Sequence, residues 1–442
     1  MIRPKYLELC VLAFIILIGL VVRLHNISAK ELWYDEAFSA DIIRNSYSEV
    51  FKLSKIDVHP PLFYFVLKAW TYDVDSELML RLPSIIFGIG LIPLAYYLVL
   101  YISKSINKAN LVALVIAVNP FLVTYSKEAR SNSMLAFLIV LGFFLFIKAY
   151  KDKKYIAITI FLPILFLTHY ITIFIIGIFV IVLVINDKRA FKWMLPVILV
   201  ITIWIPMMLN NSRSSGLSWI PEFSLSRVPQ SFQAFIFGVD TYDPQLPPPI
   251  NPFPFSATIT AIITFIIALG LILVPKKSTD HYLLLAFALI PVFLTSLVGK
   301  IFNFNLYVER YLIGYAALLI IYFISVLPKK ANLLVFIYLI LSVFTIYNQQ
   351  LVNIGYKELG NFKSNRPIVM TSATDFINAK YYSDDIKLQQ GDWSDWGIIK
   401  QSDLFNLDEN KQEFYLVNRG PLTDSDWEPK LIIGEFHFYE WK

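Results

Sequence analysis

Long apolar runs separated by short charged loops fill the first 348 residues, and a polar stretch of different character follows. A bilayer-crossing helix needs about 17–25 mostly apolar residues. About eleven runs meet or approach that length: 7–24, 82–103, 110–125, 131–149, 193–209, 256–274, 282–298, 311–327, 331–347 and two short ones between 155 and 186. The pattern predicts a polytopic α-helical membrane protein. Pro61 to Trp70 is apolar but too short to cross, and its prolines suit a helix start. It reads as a juxtamembrane helix at the outer interface, where its aromatic residues are well placed.

Loop charge sets the orientation. Arg3 and Lys5 precede the first run, and Lys104/Lys108, Lys148/Lys151/Lys153/Lys154, Lys188/Arg189/Lys192, Lys276/Lys277 and Lys329/Lys330 occupy alternate loops. Cytoplasmic loops collect Lys and Arg. The N-terminus is therefore expected in the cytoplasm and the C-terminus outside, in a multi-pass protein of the plasma (inner) membrane. Counting Pro61–Trp70 as a span would invert every later loop and put the lysines outside.

Composition sharpens this picture at three points. The chain is 57% hydrophobic with 16% charged residues, which excludes an ordinary soluble globular protein. The part from Leu351 onward holds ten basic and fifteen acidic residues, so the positive charge sits between the apolar runs and does not signal nucleic-acid binding. The one cysteine, Cys10, lies in the first run, so neither an intrachain disulfide nor a cysteine-based metal site is available. The first run ends in Arg23 and is followed by further spans, so it reads as a retained anchor rather than a cleaved signal.

The expected domains are 1–348, with outer loops 25–81 and 210–255, and a C-terminal extracytoplasmic domain 349–442. In the latter, Pro367–Met370, Phe414–Val417 and Leu431–Ile433 read as strands and Ala379–Tyr382 as helix, a small α/β domain. The 210–255 loop, with its proline run from Pro244 to Pro254, is long for a connection and reads as a functional lid or a partly disordered segment. No internal repeat, P-loop or GxGxxG motif is present.

Polar residues that need an explanation collect on the expected outer face. Asp35 and Glu36 follow the first span, where an ionisable pair near lipid is a functional candidate, although acids at a helix N-terminus also serve the helix dipole. His59 precedes two prolines and reads either as a structural hydrogen-bonding group or as a substrate contact. Glu128 and Arg130 read as a local ion pair and cap or as site residues. Arg310, between Glu309 and Tyr311, either snorkels to headgroups or grips a phosphate with its planar fork. Arg81 shares those two readings. His169 reads first as core packing. What sets the group apart is that acids, arginines and histidines from five outer segments share one face.

WYDEAFSADI at 33–42, VHPPLFYFVLKAW at 58–70, RLPSIIFGIGLIPLAYYL at 81–98 and YSKEARSNSMLAFL at 125–138 occur in this order, followed by THY at 168–170 and ERYLIGYAALLI at 309–320. This ordered set resembles the GT-C membrane glycosyltransferases, in particular the bacterial branch related to dolichyl-phosphate-mannose protein mannosyltransferases and to aminoarabinose transferases. The resemblance implies a GT-C fold of about 11 transmembrane helices, with outer-face juxtamembrane helices. It also implies transfer of a sugar from a polyprenyl-phosphate donor to a protein, lipid or glycan acceptor at the outer face. It makes Asp35 the catalytic base, with Glu36 as its companion. Arg130 and Arg310 become candidate phosphate contacts, with His59, Glu128, His169 and Tyr311 as further substrate-binding candidates. His59 departs from relatives that have lysine before the Pro-Pro pair. A divalent metal ion stays an open option to which no ligand is assigned. Two other classes remain: a transporter or flippase of lipid-linked sugars, against which the one-sided charges and missing repeat weigh, and a sensor, for which eleven spans are far more than an anchor needs.

Overall fold

The computed structural model describes residues 4–441 apart from 56, 58, 212–219, 221, 239–256, 274–277, 303–304, 349–353, 365, 384, 390–402, 406–413, 420–430 and 434. In chain order the helices are α1 (Pro4–Leu24), α2 (Tyr34–Arg44), α3 (Tyr47–Ser54), α4 (Leu62–Trp70), α5 (Glu77–Ser103) and α6 (Ile106–Val118). Next come α7 (Pro120–Ser126), α8 (Asn132–Asp152), α9 (Ile156–Phe166), α10 (Thr172–Asn186), α11 (Ala190–Asn211) and α12 (Arg227–Phe237). The last are α13 (Ala257–Leu273), α14 (Thr279–Phe302), α15 (Ile313–Val326), α16 (Asn332–Tyr347), α17 (Tyr356–Asn361) and α18 (Ala373–Tyr382). A 3₁₀ turn, Glu309–Leu312, leads into α15.

The chain divides into two compact units. The first comprises Met1–His25, Asp57–Phe63 and Arg81–Gln350, the second Asn26–Ile56, Tyr64–Leu80 and Leu351–Lys442. Residues of the 25–81 loop are thus distributed over both.

The first unit is the membrane part of a multi-pass protein. Among the described residues five helices are long and apolar enough to cross a bilayer: Tyr6–Leu24, Glu77–Ser103, Asn132–Asp152, Thr279–Phe302 and Glu309–Val326. The bent pair α6–α7 makes a sixth if counted as one span. Four shorter apolar helices, Ile156–Phe166, Thr172–Asn186, Ala190–Pro206 and Asn332–Tyr347, accompany them. The expected count of eleven therefore mixes full-length spans with helices shorter than a perpendicular crossing.

At the centre stands α15, buried at every position from Ile313 to Ser325. A helix apolar all round has no solvent or lipid face to keep, and it goes to the middle of a bundle. Its approach to α8 is close: a Cβ on Gly314 would lie 2.3 Å from Ile139 Cδ1 and 2.8 Å from its Cβ. An aromatic core joins α8, α10 and α14, where Phe146 meets Phe179 at 4.8 Å and Phe287 at 4.6 Å between ring centroids.

Two features depart from the apolar pattern. The run 110–125 is not one helix but bends by 54° between α6 and α7. Pro120 cannot donate a backbone hydrogen bond, and the Asn119 side chain instead accepts from Leu122 N–H at 2.9 Å, restarting the helix. The break frees the last carbonyls of α6, and the buried Arg23 guanidinium meets them, donating to Ala117 O at 2.8 Å and Ile116 O at 3.4 Å as well as to Gly19 O at 3.1 Å. The 210–255 loop, read as lid or partial disorder, contains a formed helix, α12, with Phe232 and Phe235 buried. Its C-terminal carbonyl at Phe235 accepts from the Asn119 amide at 2.9 Å, and it ends on Gly238 in the left-handed region at φ 71°. The proline run of that loop lies outside the described residues.

The second unit is α/β. Its six-stranded sheet runs β3-β2-β1-β4-β6-β5, with β1 (Ile368–Met370), β2 (Ile386–Gln389), β3 (Leu404–Phe405), β4 (Phe414–Arg419), β5 (Leu431–Ile433) and β6 (Phe436–Trp441). β1 to β4 pair in parallel and β6 pairs antiparallel with β4 and β5, Val369 standing opposite Leu416 and Leu416 opposite Tyr439. Val369, Phe414, Leu416 and Tyr439 form its core. The expected strands and helix of residues 367–433 are present.

Candidate active site

In the first unit, separate segments bring site candidates together. Leu62 N–H donates to Leu167 O at 3.2 Å, clamping the 57–63 segment to the turn after α9 that carries His169. From α15, Tyr315 O–H donates to Ile171 O at 2.9 Å and fixes the same turn. The 3₁₀ turn preceding α15 supplies Tyr311. As a result the rings of His59, His169 and Tyr311 pack as a trio, with centroids 5.1 Å (His59–His169), 5.7 Å (His59–Tyr311) and 4.8 Å (His169–Tyr311) apart.

Arg130 joins them from the turn between α7 and α8. Its carbonyl accepts from Ser84 Oγ of α5 at 3.0 Å, and its backbone N–H donates to Glu128 O at 2.8 Å. Its Nη2 donates to His59 Nδ1 at 3.3 Å. A guanidinium can only donate, so His59 Nδ1 is the acceptor and the ring proton belongs on Nε2. Asp57 Oδ2 stands 3.6 Å from the same nitrogen, too far for a hydrogen bond. His169 Nδ1 accepts from Ile171 N–H at 3.2 Å, which likewise leaves its proton on Nε2. That Nε2 is buried with no hydrogen-bond partner among the described residues. In this turn, outside both α9 and α10, burial first and then the neighbouring His59 and Arg130 side chains hold the His169 pKa well below its ordinary value. The ring therefore stays neutral.

Arg310 neighbours the trio through Tyr311, its guanidinium carbon 5.8 Å from that ring's centroid. Its sequence neighbour Glu309 is anchored. Arg227 Nη2 of α12 donates to Glu309 Oε2 at 3.2 Å, and Ser231 Oγ donates to Oε1 at 2.8 Å. Tyr307 O–H donates to Ser231 Oγ at 2.9 Å. Glu128 is buried beside Arg130 in sequence, and Arg81 is buried on α5. Of the substrate-binding candidates, His59, Arg130, His169, Arg310 and Tyr311 thus belong to one cluster, with Glu128 on the turn that delivers Arg130.

Asp35 and Glu36 belong to the second unit, in the first turn of α2. Acidic side chains there favour the helix dipole. Asp35 is half-buried and its carbonyl accepts from Ser39 Oγ at 2.8 Å, while Glu36 is fully buried.

Sequence reasoning missed Asp57 and Arg227. Asp57 stood two residues before His59, a spacing that could have drawn notice. Arg227 lay in a loop whose proline content hid the helix it starts.

Buried arginine, histidine and tyrosine side chains thus gather among the apolar helices of the first unit, and the second unit is α/β. The sequence model of the dolichyl-phosphate-mannose-protein mannosyltransferase family matches residues 39–214. Two crystal structures of ArnT from Cupriavidus metallidurans are similar over 97% of this chain and 97% of ArnT, each at 12% identity: the form bound to undecaprenyl phosphate with a TM-score of 0.50 and the apo form with 0.52. That likeness establishes the fold. No curated protein sequence matches the chain.

Proposed function

We propose that this protein is a glycosyltransferase that moves a sugar from a polyprenyl-phosphate donor to an acceptor on the extracytoplasmic face of the plasma membrane. The observation that carries the reading is the cluster of Arg130, His59, His169, Arg310 and Tyr311. Two imidazoles with Nε2–H donors and two arginines form a donor-rich, buried cluster, which is the chemistry a phosphate oxyanion needs. The match to the mannosyltransferase family model and the fold shared with ArnT, whose structure holds undecaprenyl phosphate, support the same substrate class.

In the proposed reaction an acceptor hydroxyl attacks the anomeric carbon, the bond from that carbon to the phosphate oxygen breaks, and polyprenyl phosphate departs. Asp35 takes the hydroxyl proton as general base, and Glu36 positions it. Arg130 and Arg310 meet the negative charge growing on the departing phosphate, stabilising the transition state more than the ground state. With no enzyme nucleophile, a single displacement inverts the anomeric carbon. Among the described residues no three His, Cys, Asp or Glu side chains gather as a metal site, and the mechanism assigns no metal ligand.

The test uses purified full-length protein in lipid, a polyprenyl-phosphate sugar and a membrane extract as acceptor source. Acceptor-dependent release of free polyprenyl phosphate, lost in Asp35→Asn, is expected. Near-normal release by a folded Asp35→Asn protein overturns the base assignment. Movement of the lipid-linked sugar across vesicles with no new glycosidic bond overturns the enzyme reading in favour of a transporter.

A further inference from the structure

The second unit is built from three stretches, Asn26–Ile56, Tyr64–Leu80 and Leu351–Lys442, and polar, directional bonds join the last to the first two. The Glu31 carboxylate, 5% exposed, accepts backbone N–H groups from Ile354 at 2.9 Å, Gly355 at 3.1 Å and Lys357 at 2.7 Å. It thereby caps α17 from more than three hundred residues away. Gly355, at φ 105°, makes the left-handed turn that lines up these donors. Lys357 Nζ reaches back to Glu77 at 3.0 Å and to Ser28 O at 3.2 Å.

One residue beyond Glu31, Leu32 N–H donates to the hydroxyl of Tyr382 at 2.9 Å, and that hydroxyl donates to Glu77 Oε1 at 2.6 Å. Burial, then the bond to Glu77, raises the phenol pKa above its ordinary value, so it keeps the proton it donates. Two residues further, α2 begins, with Asp35 and Glu36 in its first turn. The body of α2 is held as well. Lys380 Nζ stands 3.7 Å from Asp41 and 2.9 Å from Asp403, and Arg44 lies over the Tyr381 ring at 5.4 Å while pairing with Asp75 at 2.7 Å.

Apolar packing alone tolerates slip, whereas hydrogen bonds to backbone groups fix register. A general base works only within hydrogen-bond reach of its proton, and a misplacement of about 1 Å costs roughly a hundredfold in rate. We propose that Tyr382 and Glu31 are positioning residues that set where the helix bearing Asp35 begins, so that the C-terminal region takes part in transfer by holding the base in place. The proposal rests on the assignment of Asp35 as base.

The experiment compares full-length wild type, Tyr382→Phe, Glu31→Gln, Asp35→Asn and Thr371→Val in lipid nanodiscs, by hydrogen exchange of residues 34–44 and by donor-concentration kinetics. Thr371→Val removes a side-chain hydrogen bond elsewhere in the same unit, Thr371 Oγ1, just past the end of β1, to Asn418 of β4 at 3.0 Å, and controls for general weakening. In Tyr382→Phe and Glu31→Gln the amides of α2 should exchange about tenfold faster, the worth of about one hydrogen bond. For both variants kcat should fall about tenfold with donor KM unchanged, and Thr371→Val should alter neither readout. Wild-type exchange in α2 of both variants overturns the anchoring. Faster exchange with unchanged kcat, while Asp35→Asn is inactive, overturns the positioning role and leaves the base assignment standing. Retained turnover in Asp35→Asn overturns the base assignment, and this proposal falls with it.

Discussion

The ion pair between Arg227 and Glu309 offers a quantitative test of how the membrane unit presents Arg310 and Tyr311. Glu309 is 1% exposed and accepts from Arg227 at 3.2 Å and from Ser231 at 2.8 Å, so Glu309→Ala deletes the acceptor that ties α12 to the 3₁₀ turn. Removing one partner of a buried pair costs about 3–5 kcal/mol, because the other charge stays in a dry interior. For a unit of this size that corresponds to a melting midpoint lowered by about 5–10 °C. Freed from its anchor, the turn should let Arg310 and Tyr311 drift, and a displacement of about 1 Å predicts a loss near a hundredfold in kcat/KM. The double variant Arg227→Met/Glu309→Leu removes both charges and should be more stable than the sum of the two single effects implies, by about 1–3 kcal/mol of coupling. The assay pairs thermal unfolding in detergent with donor kinetics across the cycle. A Glu309→Ala protein with wild-type midpoint and wild-type kcat/KM would refute the reasoning, as would strict additivity in the double variant.

Two further predictions concern other places. Arg23→Met leaves the α6 carbonyls at Ala117 and Ile116 without their donor, and at about 1–3 kcal/mol for each buried unsatisfied group the thermal midpoint should fall; a midpoint equal to wild type would show that the guanidinium is not needed at the break. Because the folded state raises the Tyr382 pKa, its contribution is intact below the unfolded value of about 10 and is lost as pH rises beyond it. Wild type should therefore lose stability above about pH 10 more steeply than Tyr382→Phe, as measured by unfolding midpoints across an alkaline series.

What could be read from the chain was local. Runs near bilayer length, lysines in alternate loops and the prolines before Leu62 follow from solvation and backbone geometry that each segment carries by itself. The strands read at 367–370 and 414–417, present as 368–370 and 414–419, and the helix ending at Tyr382 were equally legible from period and residue type. The acid pair at 35–36 stood out because charge is rare so close to an apolar run.

The tertiary structure decided what depends on partners distant in sequence. Only a folded chain shows that Arg130 donates to His59, that the His169 turn is held by Tyr315, or that Glu31 caps a helix beginning at Tyr356. An arginine such as Arg23 reads from sequence as the end of a span, and its burial against the carbonyls of a broken helix emerges only once α1 and α6 pack. Helix α12 was hidden because proline and polar residues mask a short amphipathic stretch until its neighbours cover it. Composition reports each residue's preference for water or lipid, which the sequence determines alone. Hydrogen-bond partners are chosen by packing, because a buried donor or acceptor must find its complement wherever the fold supplies one.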